Sequence, residues 1–218
     1  MRYTTTTAPD PVATAATDHR TGPRRRGVVL ERAIFEATLS DLEAVGYARL
    51  TMDGVAHRAR TGKTSLYLRW PGKADLVAAA VEHAVADQSE PPDTGTIRGD
   101  LLAAVTVIAA RLDGAFGEAV RGLAAETLAD PERTRRARES VVGWADRRVA
   151  TVFDRAVRRG EIAAASVSPW AIRLAPVLVT HEYLTHGAPI PEVALADIVD
   201  QVVLPVVGVA PPTPPAAA

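Results

Sequence analysis

No stretch of the chain alternates apolar and polar residues long enough to make a half-buried strand, whereas Ala, Leu, Arg and Glu recur at helical spacing almost from end to end. The chain is therefore expected to be all-α, and its punctuation divides it into about nine helices. A first helix is expected from about Arg24 to Val45, presenting Leu30, Ile34, Phe35, Leu39, Leu42 and Val45, with Gly46 as a left-handed stop. Thr51 has the chemistry to cap a short second helix, Met52 to Ala59, and a third fits Gly62 to Trp70 before Pro71-Gly72. A fourth runs from Lys73 to about Asp87. The stretch Ser89 to Gly95 reads as a linker. Beyond it helices are expected at Thr96–Leu112, Ala115–Leu128, Pro131–Arg159, from Ser168-Pro169 to His186, and from Pro191 to about Val207. The implied domains are an N-terminal unit over residues 24–88 and a larger C-terminal one over 96–207. A disordered arm (1–23) and a loose Pro/Ala-rich tail (208–218) flank them.

Composition narrows the class. Apolar residues make up 47% of the chain, enough for a core, and no apolar run reaches the length of a membrane span. Cysteine is absent, which excludes disulfides, thiolate metal sites and cysteine nucleophiles and fits a cytoplasmic protein. No secretory leader is expected at the Thr/Ala-rich N-terminus. The net charge of −1 conceals an asymmetry: between Arg20 and Lys73, eleven Lys/Arg meet five Asp/Glu, so the remainder is acidic. A basic segment on a neutral chain suits a polyanion-binding module joined to something else.

Residues Thr51 to Leu76 carry the sharpest signal. Two short helices joined by Arg60-Thr61-Gly62 match a helix-turn-helix, with Val55, Ala56, Ala59 and Leu66 where the helices touch. Small Ala56 and Ala59 permit close crossing, which lets the second helix project into a major groove, where each base pair shows a distinct pattern. The stretch also resembles the tetracycline-repressor (TetR) family. The resemblance runs over about forty-five residues, through Ile34, Gly46-Tyr47, Leu50-Thr51-Met52, Val55-Ala56 and Ala59, then Lys63-Thr64-Ser65-Leu66-Tyr67, Arg69-Trp70-Pro71, Lys73 and Leu76.

That resemblance implies a DNA-binding face. Thr51 caps and meets phosphate, Lys63 reaches guanine or phosphate, Thr64 touches a thymine methyl, and the Tyr67 hydroxyl grips the backbone. Lys73 adds charge at the start of the fourth helix, and Arg24, Arg25 and Arg26 form an arm for the minor groove. Two positions depart from the family pattern. Arg60 stands where glycine often makes a left-handed turn, offset by a phosphate contact, and Gly62 stands where serine commonly caps. Asp41 falls among apolar positions of the first helix without an evident reason.

The last two helices, over about 169–186 and 191–207, are apolar on too many sides for a monomer. They are expected to form a four-helix homodimer interface. The resemblance further implies a small-molecule pocket between about Thr96 and Tyr183, with Phe116, Trp144, Phe153, Trp170 and Tyr183 as candidate lining residues. The expected function is repression of a palindromic operator, relieved by a small effector. The alternative is a helical small-molecule-binding or scaffold protein that keeps the fold without binding operator DNA. No catalytic, metal or cofactor site is expected. Gly62-Lys63-Thr64 lacks the glycine five positions earlier and the strand that a phosphate-binding loop needs. His181 and His186, five apart, sit about 140° apart around a helix and cannot share a metal.

Overall fold

The computed structural model describes residues 27–86, 90–129 and 131–210. The expected arm, with Arg24 to Arg26, and most of the expected tail lie outside the described residues. Nine helices and no strand are found among those described: α1 (Val28–Arg49), α2 (Met52–Arg58), α3 (Lys63–Tyr67), α4 (Lys73–Ala86), α5 (Ile97–Leu112), α6 (Ala115–Ala129), α7 (Pro131–Arg159), α8 (Pro169–His186) and α9, which opens at Glu192–Asp197. A single 3₁₀ turn, Ala164–Ser166, links α7 to α8.

Local chemistry sets most boundaries. Thr51, Thr96 and Ser168 each sit in extended backbone and accept the N–H three residues on, from Gly54, Gly99 and Ala171, satisfying one of the orphan donors of the first turn. Gly46 differs from the expected left-handed cap. Its φ of 73° and ψ of 165° lie in a region essentially reserved for glycine, and the chain kinks there before a last turn to Arg49. The final helix is continuous but not uniform. After Asp197 it widens into a π-helical stretch, Ile198–Val203, before a last α turn, Leu204–Val206. Pro205 has no N–H to give the preceding turn and its ring crowds the carbonyl four residues back, which the wider turn accommodates.

The long α7 is the spine. Its inward stripe of Val141, Ala145, Val149, Val152 and Ala156 is buried, as the 3.6-residue spacing predicts, against α4, α5, α6 and α8. The three-helix head is not a separate body hung on a linker, because α1 packs against both α4 and α6. At that junction Tyr47 lies flat on α6, where Gly122 leaves room for its ring. The linker is strapped to α7: Arg155 donates to the Pro91 carbonyl, and Arg159 bridges Asp93 and Asp100 at 2.9 Å each and also pairs with Glu161.

Candidate nucleic-acid interface

The helix-turn-helix is built around a small apolar centre. Leu66 and Val55 are fully buried, with Ala56 and Ala59 between them, and Trp70 packs edge-on against Phe35 of α1 at 5.5 Å. This anchors α3 by one side only. Its other side presents Lys63, Thr64 and Tyr67 to solvent, with Tyr67 46% exposed. Leu68, 82% exposed at the end of α3, shares this face four residues after Thr64. It was not among the residues expected from sequence. A large aliphatic side chain in a five-residue helix whose core position is already filled by Leu66 was the available signal.

The turn behaves as its residues demand. Arg60 is the one described non-glycine residue at positive φ, 54°, so it carries the left-handed strain expected where glycine is usual. Its N–H still bonds to the His57 carbonyl, and Thr61 closes the turn onto the Ala56 carbonyl. Gly62 caps α3 with extended backbone, and a Cβ there would meet nothing within 4 Å. Thr51 is exposed, with its hydroxyl oxygen occupied by the Gly54 N–H.

The two lysines have different surroundings. Lys63 is exposed and donates to Asp53 of α2 at 2.8 Å, and that hydrogen bond and charge hold its ammonium above the usual lysine range. Lys73 is turned inward. Its ammonium donates to the Tyr47 carbonyl at 3.1 Å, lies 4.2 Å from the centre of the Tyr47 ring, and is 3.9 Å from Glu126 of α6. It therefore joins α4, α1 and α6, with its side chain only 25% exposed. The reason is local, since the kink at Gly46 puts a carbonyl and an aromatic face together beside the start of α4.

Asp41 also finds its explanation. It is 7% exposed and accepts a hydrogen bond from Arg58 at 2.5 Å, tying α1 to the end of α2 just before the turn. The partner lies seventeen residues away, beyond the reach of helix periodicity.

Comparison with known proteins decides the family. The model for "Bacterial regulatory proteins, tetR family" matches residues 34–80, and that for "Tetracyclin repressor-like, C-terminal domain" matches 91–202, half of the chain by itself. The chain belongs to the TetR family. An uncharacterised HTH-type transcriptional regulator of Mycobacterium tuberculosis is 31% identical to this TetR-family chain over 175 residues, covering 80% of it and 86% of the relative. A DNA-binding transcriptional repressor TetR of Mycobacteroides abscessus is 32% identical over 186 residues, covering 82% and 94%. The crystal structure of a TetR family transcription regulator superimposes with a TM-score of 0.68 at 24% identity, over 80% of this chain and 96% of the other, a likeness of fold. This TetR-family chain is thus a DNA-binding transcriptional regulator, in a family of regulators that bind DNA and typically form homodimers, and not an enzyme. No described helix is long and apolar enough to cross a membrane, and no described cluster of side chains could hold a metal. His186 pairs with Glu182 at 3.0 Å.

The five aromatic residues expected around a pocket are dispersed. Phe116 and Tyr183 each line an open concavity at the end of α5, of about 230 and 330 Å³ respectively. Trp144 stands behind Phe116 at 6.0 Å. Phe153 is fully buried in the core, and Trp170 is 79% exposed on α8, so neither lines these concavities.

Proposed function

We propose that the chain is a homodimeric repressor that reads a palindromic operator with α3 and releases it when a small effector binds. The observation that carries the reading is the one-sided burial of α3, with Leu66 inside and Lys63, Thr64, Tyr67 and Leu68 outside. Thr64 and Leu68 offer apolar surface to thymine methyl groups, Lys63 exchanges Asp53 for guanine or phosphate, and the Tyr67 hydroxyl bonds the backbone. Thr51 and Arg60 meet the flanking phosphates. Lys73 acts behind the reading face by holding α4 to Tyr47. The repressive sign is supported by the name of the Mycobacteroides abscessus relative.

Pairing through α8 and α9 is supported by what they leave uncovered. Trp170, Leu174, Val177, His181 and Leu184 follow the alternating four-three spacing of a helix–helix seam; Trp170, Val177 and Leu184 are 79%, 54% and 45% exposed. Val193, Val202 and Val206 continue the apolar surface on the last helix. A four-helix interface of roughly 2,000 Å² or more covers such surfaces. It sets two copies of α3 about 34–36 Å apart, one turn of DNA. An effector that prefers a different spacing of the heads weakens operator binding about tenfold for each 1.4 kcal/mol of preference.

Fluorescence anisotropy with a half-site-paired duplex tests the reading. Tyr67→Ala together with Thr64→Ala should weaken binding by roughly tenfold or more at unchanged helical content. About six phosphate contacts give a log–log salt slope near −5. A flat salt response, or undiminished binding by the double variant, contradicts it.

A further inference from the structure

The concavity beside Phe116 differs from an ordinary surface dent in the charge at its wall. Leu39 and Glu43 of α1, Val81 and Ala84 of α4, and Arg111 and Phe116 around the α5–α6 turn line it. It is bounded on one side by the reading head and its connecting helix, and on the other by the C-terminal bundle. Arg111 is half-buried, and its Nε is buried with no hydrogen-bond partner among the described residues. Its guanidinium carbon lies 5.0 Å from the centre of the Trp144 ring, and that of Arg148 lies 5.7 Å from the same centre. Phe116 stacks edge-on against Trp144, so the apolar wall and the cations share one aromatic plate.

Arginine does not relieve burial by giving up its proton in practice. Burial nonetheless disfavours the Arg111 cation, and burial followed by the nearby Arg111 charge does the same at Arg148, so two partly desolvated guanidiniums stand side by side at Trp144. No carboxylate lies within ion-pairing distance of Arg111 among the described residues. Glu43 and Asp113 also reach the concavity, but both are exposed, and their charges are hydrated and screened by salt as a desolvated guanidinium is not.

We propose that this concavity is the effector site of the regulator described above and that its ligand is a small apolar carboxylate, anchored by Arg111 with its apolar body against Phe116, Leu39 and Val81. A volume of about 230 Å³ suits a compact molecule and not an extended chain. Because the same ligand touches α1 and α4 on one side and α5 and α6 on the other, its occupancy bears directly on the angle of the reading head. The site rests on the effector reading for its purpose, and its existence is testable without DNA.

The test is calorimetry on the full chain with benzoate, benzamide and benzylamine as probes. Benzoate should saturate one site per chain, with benzamide weaker by roughly tenfold and benzylamine weaker still. Arg111→Gln should weaken benzoate by about tenfold with helical content unchanged. Glu43→Gln removes a like charge from the rim and, because that charge is exposed and screened, should tighten benzoate only slightly, by up to about twofold; this variant reads the sign of the site even if Arg111→Gln fails to fold. Tightest binding by benzylamine, weaker benzoate binding in Glu43→Gln, an unchanged affinity in folded Arg111→Gln, or no saturation by about 10 mM benzoate overturns the proposal. Arg111-dependent benzoate binding that leaves operator affinity unchanged upholds the anion site and refutes its role as the effector site.

Discussion

Replacing a glycine inside a helix by alanine ordinarily stabilises by about 1 kcal/mol, because alanine has the lower backbone entropy to lose. At Gly122 of α6 the structure predicts the opposite sign. A Cβ there would lie 2.0, 2.2 and 2.5 Å from Cγ, Cδ1 and Cβ of Tyr47, distances that no van der Waals contact permits. The ring must move, yet Tyr47 is 5% exposed and carries the Lys73 ammonium on its face. Losing much of its burial costs about 2–3 kcal/mol. Set against the helix-propensity gain, Gly122→Ala should lose about 1–2 kcal/mol. The midpoint of thermal unfolding should then fall by about 3–6 °C for a chain of this size. Gly143→Ala in α7 is the matched control, since its Cβ would meet only the flexible end of Arg147, at 3.3 Å, and should stabilise by up to about 1 kcal/mol. Both are read by thermal and urea unfolding at one protein concentration, because the proposed dimerisation would make the midpoint concentration-dependent. If Gly122→Ala is stabilised as much as Gly143→Ala, the contact between reading head and α6 is not as described.

Arg60→Gly should stabilise by about 0.5–1 kcal/mol, the relief of a left-handed arginine exceeding the added unfolded-state entropy; urea unfolding showing a loss would contradict the strain. Arg58→Ala leaves nearly buried Asp41 without its partner and should cost about 1–2 kcal/mol, a figure discounted because Arg58 is half exposed, while Asp41→Leu with Arg58→Ala should recover most of it. At Asp100, fully buried, burial pushes the carboxyl pKa up, but the Thr94 amide and hydroxyl and the Arg159 guanidinium outweigh it and hold the pKa below its ordinary value. A depressed folded pKa contributes stability at neutral pH that is lost as pH falls below about 4 through that pKa. Asp100→Asn should therefore be less stable at pH 7 and show a shallower acid decline, measured by urea unfolding from pH 7 to 3; parallel pH curves for the two proteins would refute the account.

Helix order, the caps at Thr51 and Ser168, the buried stripe of α7 and the turn at Arg60 could be read from sequence because each is decided by residues within one or two helical turns. What could not be read depends on partners brought together by folding. Asp41 is intelligible only beside Arg58, and Lys73 faces Tyr47 only because Gly46 kinks α1. Trp170 is expected from sequence to line a pocket, whereas it is 79% exposed on α8 and lines neither concavity. The exposure of Leu68 is not legible locally, since an apolar residue near the end of a short helix usually packs inward, and here Leu66 already fills that place. The unpartnered Nε of Arg111 leaves no trace in periodicity at all.

The most direct test is selection from random duplexes by the purified chain, run in parallel with the Thr64→Ala/Tyr67→Ala protein. The wild type should enrich an inverted repeat with half-sites about one helical turn apart, and the variant should lose or change the half-site. Enrichment of nothing, or of the same repeat by both proteins, would mean that the exposed side of α3 does not read DNA.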